Sequence, residues 1–125
     1  MNTGHILVVD DEPDIRILLK EILEDEGFEV TTAENAHQAR ESRRHRRPDL
    51  VLLDIWMPDT DGISLLKEWS VGNALDAPVI IMSGHGSVET AVEATRLGAY
   101  DFIEKPLSTA KILVTVQRAL ENASL

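Results

Sequence analysis

The chain has 125 residues, 43% of them hydrophobic and 27% charged, with no cysteine and a formal net charge of −10. That length suits one domain with its own core, and the absence of thiols excludes a disulfide framework and a thiolate metal site. The acidic balance argues against direct nucleic-acid binding by the domain as a whole. No run has transmembrane length and the N-terminus lacks a signal-peptide pattern, so a soluble cytoplasmic protein is the expectation.

The patterning predicts five β-α units in succession. A strand over 5–10 carries Ile6-Leu7-Val8-Val9 into Asp10 and Asp11. A helix over 13–26 follows, with Ile15, Leu18, Leu19, Ile22 and Leu23 on one face, and Gly27 stops it. After a strand over 28–32 comes a polar, arginine-rich helix over 36–46, ended by Pro48. The third strand, 49–54, runs through Leu50-Val51-Leu52-Leu53 to Asp54. Met57-Pro58-Asp59-Thr60-Asp61-Gly62 is a turn-rich loop before a helix over 62–71 with Ile63, Leu65, Leu66 and Trp69. The strand over 78–82 leads into Ser83-Gly84-His85-Gly86-Ser87, then a helix over 87–97 closed by Gly98. The last strand, 100–104, ends at Lys105-Pro106. The last helix, 109–122, places Ile112, Leu113, Val116, Ala119 and Leu120 on one face. Strands that are mostly apolar on both faces, alternating with helices, predict a parallel sheet covered on both sides.

In such a sheet the carboxyl ends of the strands share one edge, where ligands bind. Asp10, Asp11, Asp54, Ser83 and Lys105 all follow strands, so they are expected to converge there. Three carboxylates in one pocket repel unless a cation joins them, and all-oxygen ligation with few protein ligands favours Mg²⁺, with Mn²⁺ as the alternative. Lys105 can neutralise an anion at the same edge, and Ser83 can donate to a phosphoryl oxygen. Each alone has a plainer reading: the aspartates as strand-end caps, Ser83 as a turn former, Lys105 as a solvated lysine. Lys105-Pro106 is also a candidate cis peptide bond.

These motifs resemble those of a response-regulator receiver domain, the CheY-like phosphoacceptor of two-component signalling. The resemblance rests on Val8-Val9-Asp10-Asp11-Glu12, on Asp54-Ile55-Trp56-Met57-Pro58 through Asp61-Gly62, on Ser83-Gly84 and on Lys105-Pro106. It covers essentially the whole chain, 1–125. The Ser83–Gly86 and Gly98–Pro106 stretches are further similar to the NtrC/NtrX type, which implies the N-terminal domain of a longer transcriptional regulator. The resemblance implies a (βα)5 three-layer sandwich with sheet order 2-1-3-4-5. It also implies Asp54 as the phosphoacceptor and Mg²⁺ held by Asp11, Asp54 and the backbone carbonyl of Trp56, with Asp10 assisting through water. Ser83 and Phe102 match the switch pair, and Lys105 the phosphate-contacting lysine. Trp56 and His85 match positions that tune phosphoryl lifetime. A sensor histidine kinase is the implied partner, and helix 4, strand 5 and helix 5 the implied homodimer face. The implied activity is a switch limited to self-directed phosphotransfer and autodephosphorylation, not an enzyme.

Two other functions fit less well. An aspartyl-nucleophile phosphatase would carry a second aspartate where Trp56 stands, and a flavin-binding protein of similar fold would not place Asp10-Asp11-Glu12 against a phosphate. Asp59-Thr60-Asp61-Gly62 with Glu68 only superficially resembles an EF-hand, because Met57-Pro58 occupies the first positions. Arg40, Arg43, Arg44, Arg46 and Arg47, with His45, read as a solvated helix face near a favourable helix C-terminus, or as a docking patch for an acidic partner.

Overall fold

The structure is a computed structural model and describes residues 4–55, 62–70, 77–84 and 88–123. Five strands, β1 (His5–Val9), β2 (Glu29–Ala33), β3 (Leu50–Asp54), β4 (Val79–Ser83) and β5 (Asp101–Glu104), alternate with five helices. These are α1 (Pro13–Asp25), α2 (Ala36–His45), α3 (Gly62–Ser70), α4 (Val88–Arg96) and α5 (Thr109–Ala123). All strand pairs are parallel and the order is β2-β1-β3-β4-β5. The expected fold class and sheet order are therefore those observed, and no element end differs from expectation by more than one residue.

Strand alternation divides the core in two. Leu7, Val9, Val51, Leu53, Val79 and Ile81 point to the layer holding α2, α3 and α4, where they meet Ala36, Ala39, Leu65, Leu66, Trp69 and Ala94. Ile6, Val8, Leu50, Leu52, Ile80 and Met82 point the other way, onto Leu19 and Leu23 of α1 and Ile112, Val116 and Ala119 of α5. β1, β3 and β4 are buried along their whole length, which explains their unbroken apolar runs. The edge strands β2 and β5 are only partly buried and carry polar residues accordingly. Truncating a central residue such as Leu52, which has no exposed surface, to alanine would cost about 2–5 kcal/mol.

Local signals set the helix ends. Pro13 opens α1, where its missing N–H costs nothing. Asn35 caps α2, its side chain accepting the Gln38 N–H at 2.8 Å. Gly27, at φ 98°, takes the left-handed conformation that turns the chain from α1 into β2. One expected core position differs: Leu18 is 40% exposed, while Leu19 and Leu23 are buried. The buried stripe of α1 is narrower than its apolar stripe, and Leu18 lies on its flank.

Candidate functional site

Because β1, β3, β4 and β5 are consecutive neighbours running in one direction, their carboxyl ends bring Asp10, Asp54, Ser83 and Lys105 to one edge. Asp10 follows β1 directly and remains tied to the sheet, donating its N–H to the Ala33 carbonyl at 3.0 Å. Its fully buried carboxylate accepts the Glu12 N–H through Oδ1 at 2.9 Å. Its Oδ2 lies 2.9 Å from Lys105 Nζ. The Asp10 carbonyl accepts from Arg16 Nη1 at 2.8 Å, and Arg16 reaches Glu34 in the β2–α2 loop at 3.6 Å. Asp11 is exposed, yet one carboxylate oxygen from each of Asp10, Asp11 and Glu12 falls within 4.8 Å of the others.

Asp54 ends β3 and is buried, with Oδ2 3.8 Å from Lys105 Nζ. Gly62, at the start of α3, donates its N–H to the Ile55 carbonyl. A side chain there would collide with the Asp54 carbonyl oxygen and stand 2.8 Å from Ile55 Cα, so only glycine lets α3 begin this close to the acidic strand end. Ser83 ends β4. Its carbonyl accepts the Lys105 N–H at 2.7 Å, and its hydroxyl oxygen is buried without a hydrogen-bond partner. The Lys105–Pro106 peptide bond is cis. Lys105 also lies 3.7 Å from Glu12.

The electrostatics are those of several carboxylates around one amine. Burial pushes the Asp10 carboxyl up, against the lowering effects of the Glu12 N–H and of Lys105. Burial by itself would lower Lys105, but the hydrogen bond and charge of Asp10, together with the charges of Asp54 and Glu12, outweigh it and raise the amine. Both partners of the pair shift upward because the amine has three carboxylate neighbours, whereas Asp10 pays the full desolvation of a buried charge.

Among the described residues the donor set suits a hard divalent cation, clustered carboxylates without sulfur or imidazole. The unpartnered Ser83 hydroxyl suits an incoming anion, since buried polar groups are rarely left unpaired. The structure thus brings together Asp10, Asp11, Asp54, Ser83 and Lys105. Phe102 lies half-buried on β5 and packs against the α2–α4 side of the core. Trp56 and His85 lie outside the described residues. Two neighbours of the site carry roles that the sequence reading did not assign. Glu12 joins the carboxylate cluster, and the signal was its place as a third consecutive acid. Arg16 anchors the Asp10 carbonyl, and nothing local marks it, because the contact forms only when the first turn of α1 folds back over the strand end.

The response regulator receiver domain profile matches residues 6–117. The nitrogen assimilation regulatory protein NtrX of Azorhizobium caulinodans is 48% identical over 122 residues, which cover 96% of this chain and 27% of that protein. The chain therefore spans about a quarter of the length of this curated relative. Among solved structures, the receiver domain of NtrX from Brucella abortus is 50% identical at a TM-score of 0.86, covering 93% of this chain and 98% of that one. A beryllofluoride-activated NtrC4 receiver domain dimer is 41% identical at a TM-score of 0.88, covering 95% of this chain and 98% of that one. With its sheet order, its carboxylate edge and these similarities in agreement, the chain belongs to the family of response regulator receiver domains.

Proposed function

We propose that Asp54 accepts a phosphoryl group from a sensor histidine kinase in a Mg²⁺-dependent reaction and that the resulting change controls an output domain. The observation that carries this reading is the placement of Asp54 Oδ2 3.8 Å from Lys105 Nζ, beside a carboxylate cluster and a buried, unpartnered Ser83 hydroxyl. An oxygen of Asp54 attacks phosphorus as the bond from phosphorus to the kinase histidine breaks, which leaves an acyl phosphate on Asp54 and a neutral imidazole on the kinase. Lys105 offsets charge on the equatorial oxygens, and Ser83 donates its hydroxyl proton to one of them. Asp11, Asp54 and the Trp56 carbonyl would hold the ion, with Asp10 assisting through water. The ion supplies charge neutralisation at the transferring group. Mn²⁺ can substitute. Only self-directed phosphotransfer and autodephosphorylation are assigned to the domain.

The phosphoryl group adds about −1.5 to −2 charges by analogy with other phospho-residues. Ser83 moves to bond it and Phe102 follows into the vacated space, a local charge event that biases a bistable element. Trp56 and His85 govern water access to the acyl phosphate. Val92 on α4, Tyr100 before β5 and Val114 on α5 are exposed, which supports a homodimer through the α4-β5-α5 face. Residues 1–125 would be the N-terminal domain of a longer cytoplasmic transcriptional regulator, with DNA contacts made elsewhere in that protein. Among the described residues no helix is long and apolar enough to cross a membrane.

The test is intact mass after incubation with acetyl phosphate and Mg²⁺, with sizing alongside. Wild type should gain one hydroxylamine-labile phosphoryl group, and Asp54→Asn should not. The same labile phosphate on the Asp54→Asn protein would reject the assignment.

A further inference from the structure

Far from the carboxylate edge, α2 and α3 enclose an open cleft of about 450 Å³ lined, among the described residues, by Arg40, Arg43, Arg44, Arg47, Glu68 and Trp69. Arg40, Arg43 and Arg44, spaced i, i+3 and i+4, form one ridge on α2, and Arg47 extends it two residues past the helix end. They serve little packing purpose, since α2 buries only Ala36 and Ala39. Side-chain contacts hold the ridge in place, among them an ion pair of Arg44 with Glu41 at 3.3 Å. The Arg43 guanidinium lies 5.2 Å from the centre of the Trp69 ring, and Arg40 donates to Glu68 at 2.7 Å. A guanidinium resting on an aromatic ring keeps its N–H edge in a fixed plane, the arrangement that meets a carboxylate with two parallel hydrogen bonds. Arginines side by side on one helix face repel one another, and an oxyanion between them relieves that repulsion.

We propose that this α2–α3 cleft is a docking site for an acidic polypeptide segment, whose carboxylates engage Arg43, Arg44 and Arg47 and whose one apolar side chain rests at Trp69. The site is separate from Asp54 and does not depend on phosphoryl transfer. Charge distribution selects the occupant. Removing Arg40, Arg43, Arg44, Arg46 and Arg47 from the twelve basic residues leaves seven against twenty-two acidic ones. A nucleic-acid duplex or an anionic membrane would extend past the cleft onto those acid-rich faces and be repelled. A short acidic segment needs only the length of this ridge, on the order of 10 Å, and meets chiefly its arginines, the one lining carboxylate, Glu68, being held by Arg40.

The test titrates the chain with a short peptide of glutamate and alanine containing one leucine, followed by the Trp69 indole N–H and the α2 amides in ¹H–¹⁵N spectra. A duplex DNA of matched charge is run in parallel. The expected result is a saturable shift of Trp69 and α2 with the peptide. Affinity should fall about tenfold in Arg43→Gln/Arg44→Gln, the loss of two charge-assisted contacts. It should change less than about twofold in Lys111→Gln/Arg118→Gln, which removes the same charge from exposed positions of α5. No saturable shift, an equal loss in both double variants, or tighter binding of the duplex at the cleft would each overturn the proposal.

Discussion

Lys105 rests on Asp10 more closely than on Asp54, with Nζ at 2.9 Å from the former carboxylate and 3.8 Å from the latter. Asp10 has no exposed surface, so a cation removes more desolvation cost there than anywhere else on this edge. Held between two carboxylates, the amine can lean toward an anion that arrives on Asp54 without leaving its own pocket.

Lys105→Ala should leave a buried carboxylate without its counter-charge. The apo protein should lose about 1–3 kcal/mol of stability. Mg²⁺ should recover part of the loss, because a second cation reaches the same acids. Urea unfolding with and without Mg²⁺ checks this, and wild-type stability in the Mg²⁺-free variant would refute the pairing.

Arg16 is a positioning residue. Its hydrogen bond to the Asp10 carbonyl and its ion pair with Glu34 pin the acid loop to the neighbouring β2–α2 loop. Arg16→Ala should weaken Mg²⁺ affinity about tenfold, the usual scale for supports of metal ligands. Arg16→Lys should restore only part of it, since one ammonium cannot hold both partners in the guanidinium geometry. Mg²⁺ titration by tryptophan fluorescence measures both, and three matching curves would remove this role.

Gly62→Ala tests the close approach of α3 to β3. The new methyl meets backbone atoms of Asp54 and Ile55, which cannot turn aside as a side chain could. Stability should fall by about 1–3 kcal/mol, and phosphorylation by acetyl phosphate should slow as Asp54 is displaced. A variant with the wild-type melting temperature and rate would show that the helix start shifts freely.

His5 predicts a pH dependence away from the site. The ring is buried at the start of β1, with Nε2 2.6 Å from Thr31 Oγ1 and Nδ1 without a hydrogen-bond partner. Burial, assisted by the Arg46 charge, holds its pKa below the usual 6.5, against the opposite pulls of Glu29 and Asp49. The folded state therefore resists protonation while the unfolded state accepts it. Stability is complete above about 6.5 and declines as pH falls through that value toward the folded pKa, with a slope of at most about 1.4 kcal/mol per pH unit. Unfolding free energies between pH 7.5 and 5.5 should decline less in His5→Gln than in wild type. Parallel curves would assign the slope to other groups.

The amino-acid sequence by itself determined the sheet and most of the site. Fully apolar strands such as Leu50–Leu53 can be satisfied only between two helical layers, and Asp10, Asp54, Ser83 and Lys105 stand where such strands end. These are local properties, readable from periodicity and adjacency. Tertiary structure alone decided the pairings. Lys105 chose Asp10 over Asp54, Arg16 folded back onto a carbonyl six residues earlier, and Gly62 met the Asp54 backbone. It also left Leu18 on the exposed flank of α1 and set Trp69 beneath Arg43. Such choices depend on which buried charge is dearest to leave unpaired and on which surfaces meet across the sheet, and no stretch of chain carries that information until the layers have packed.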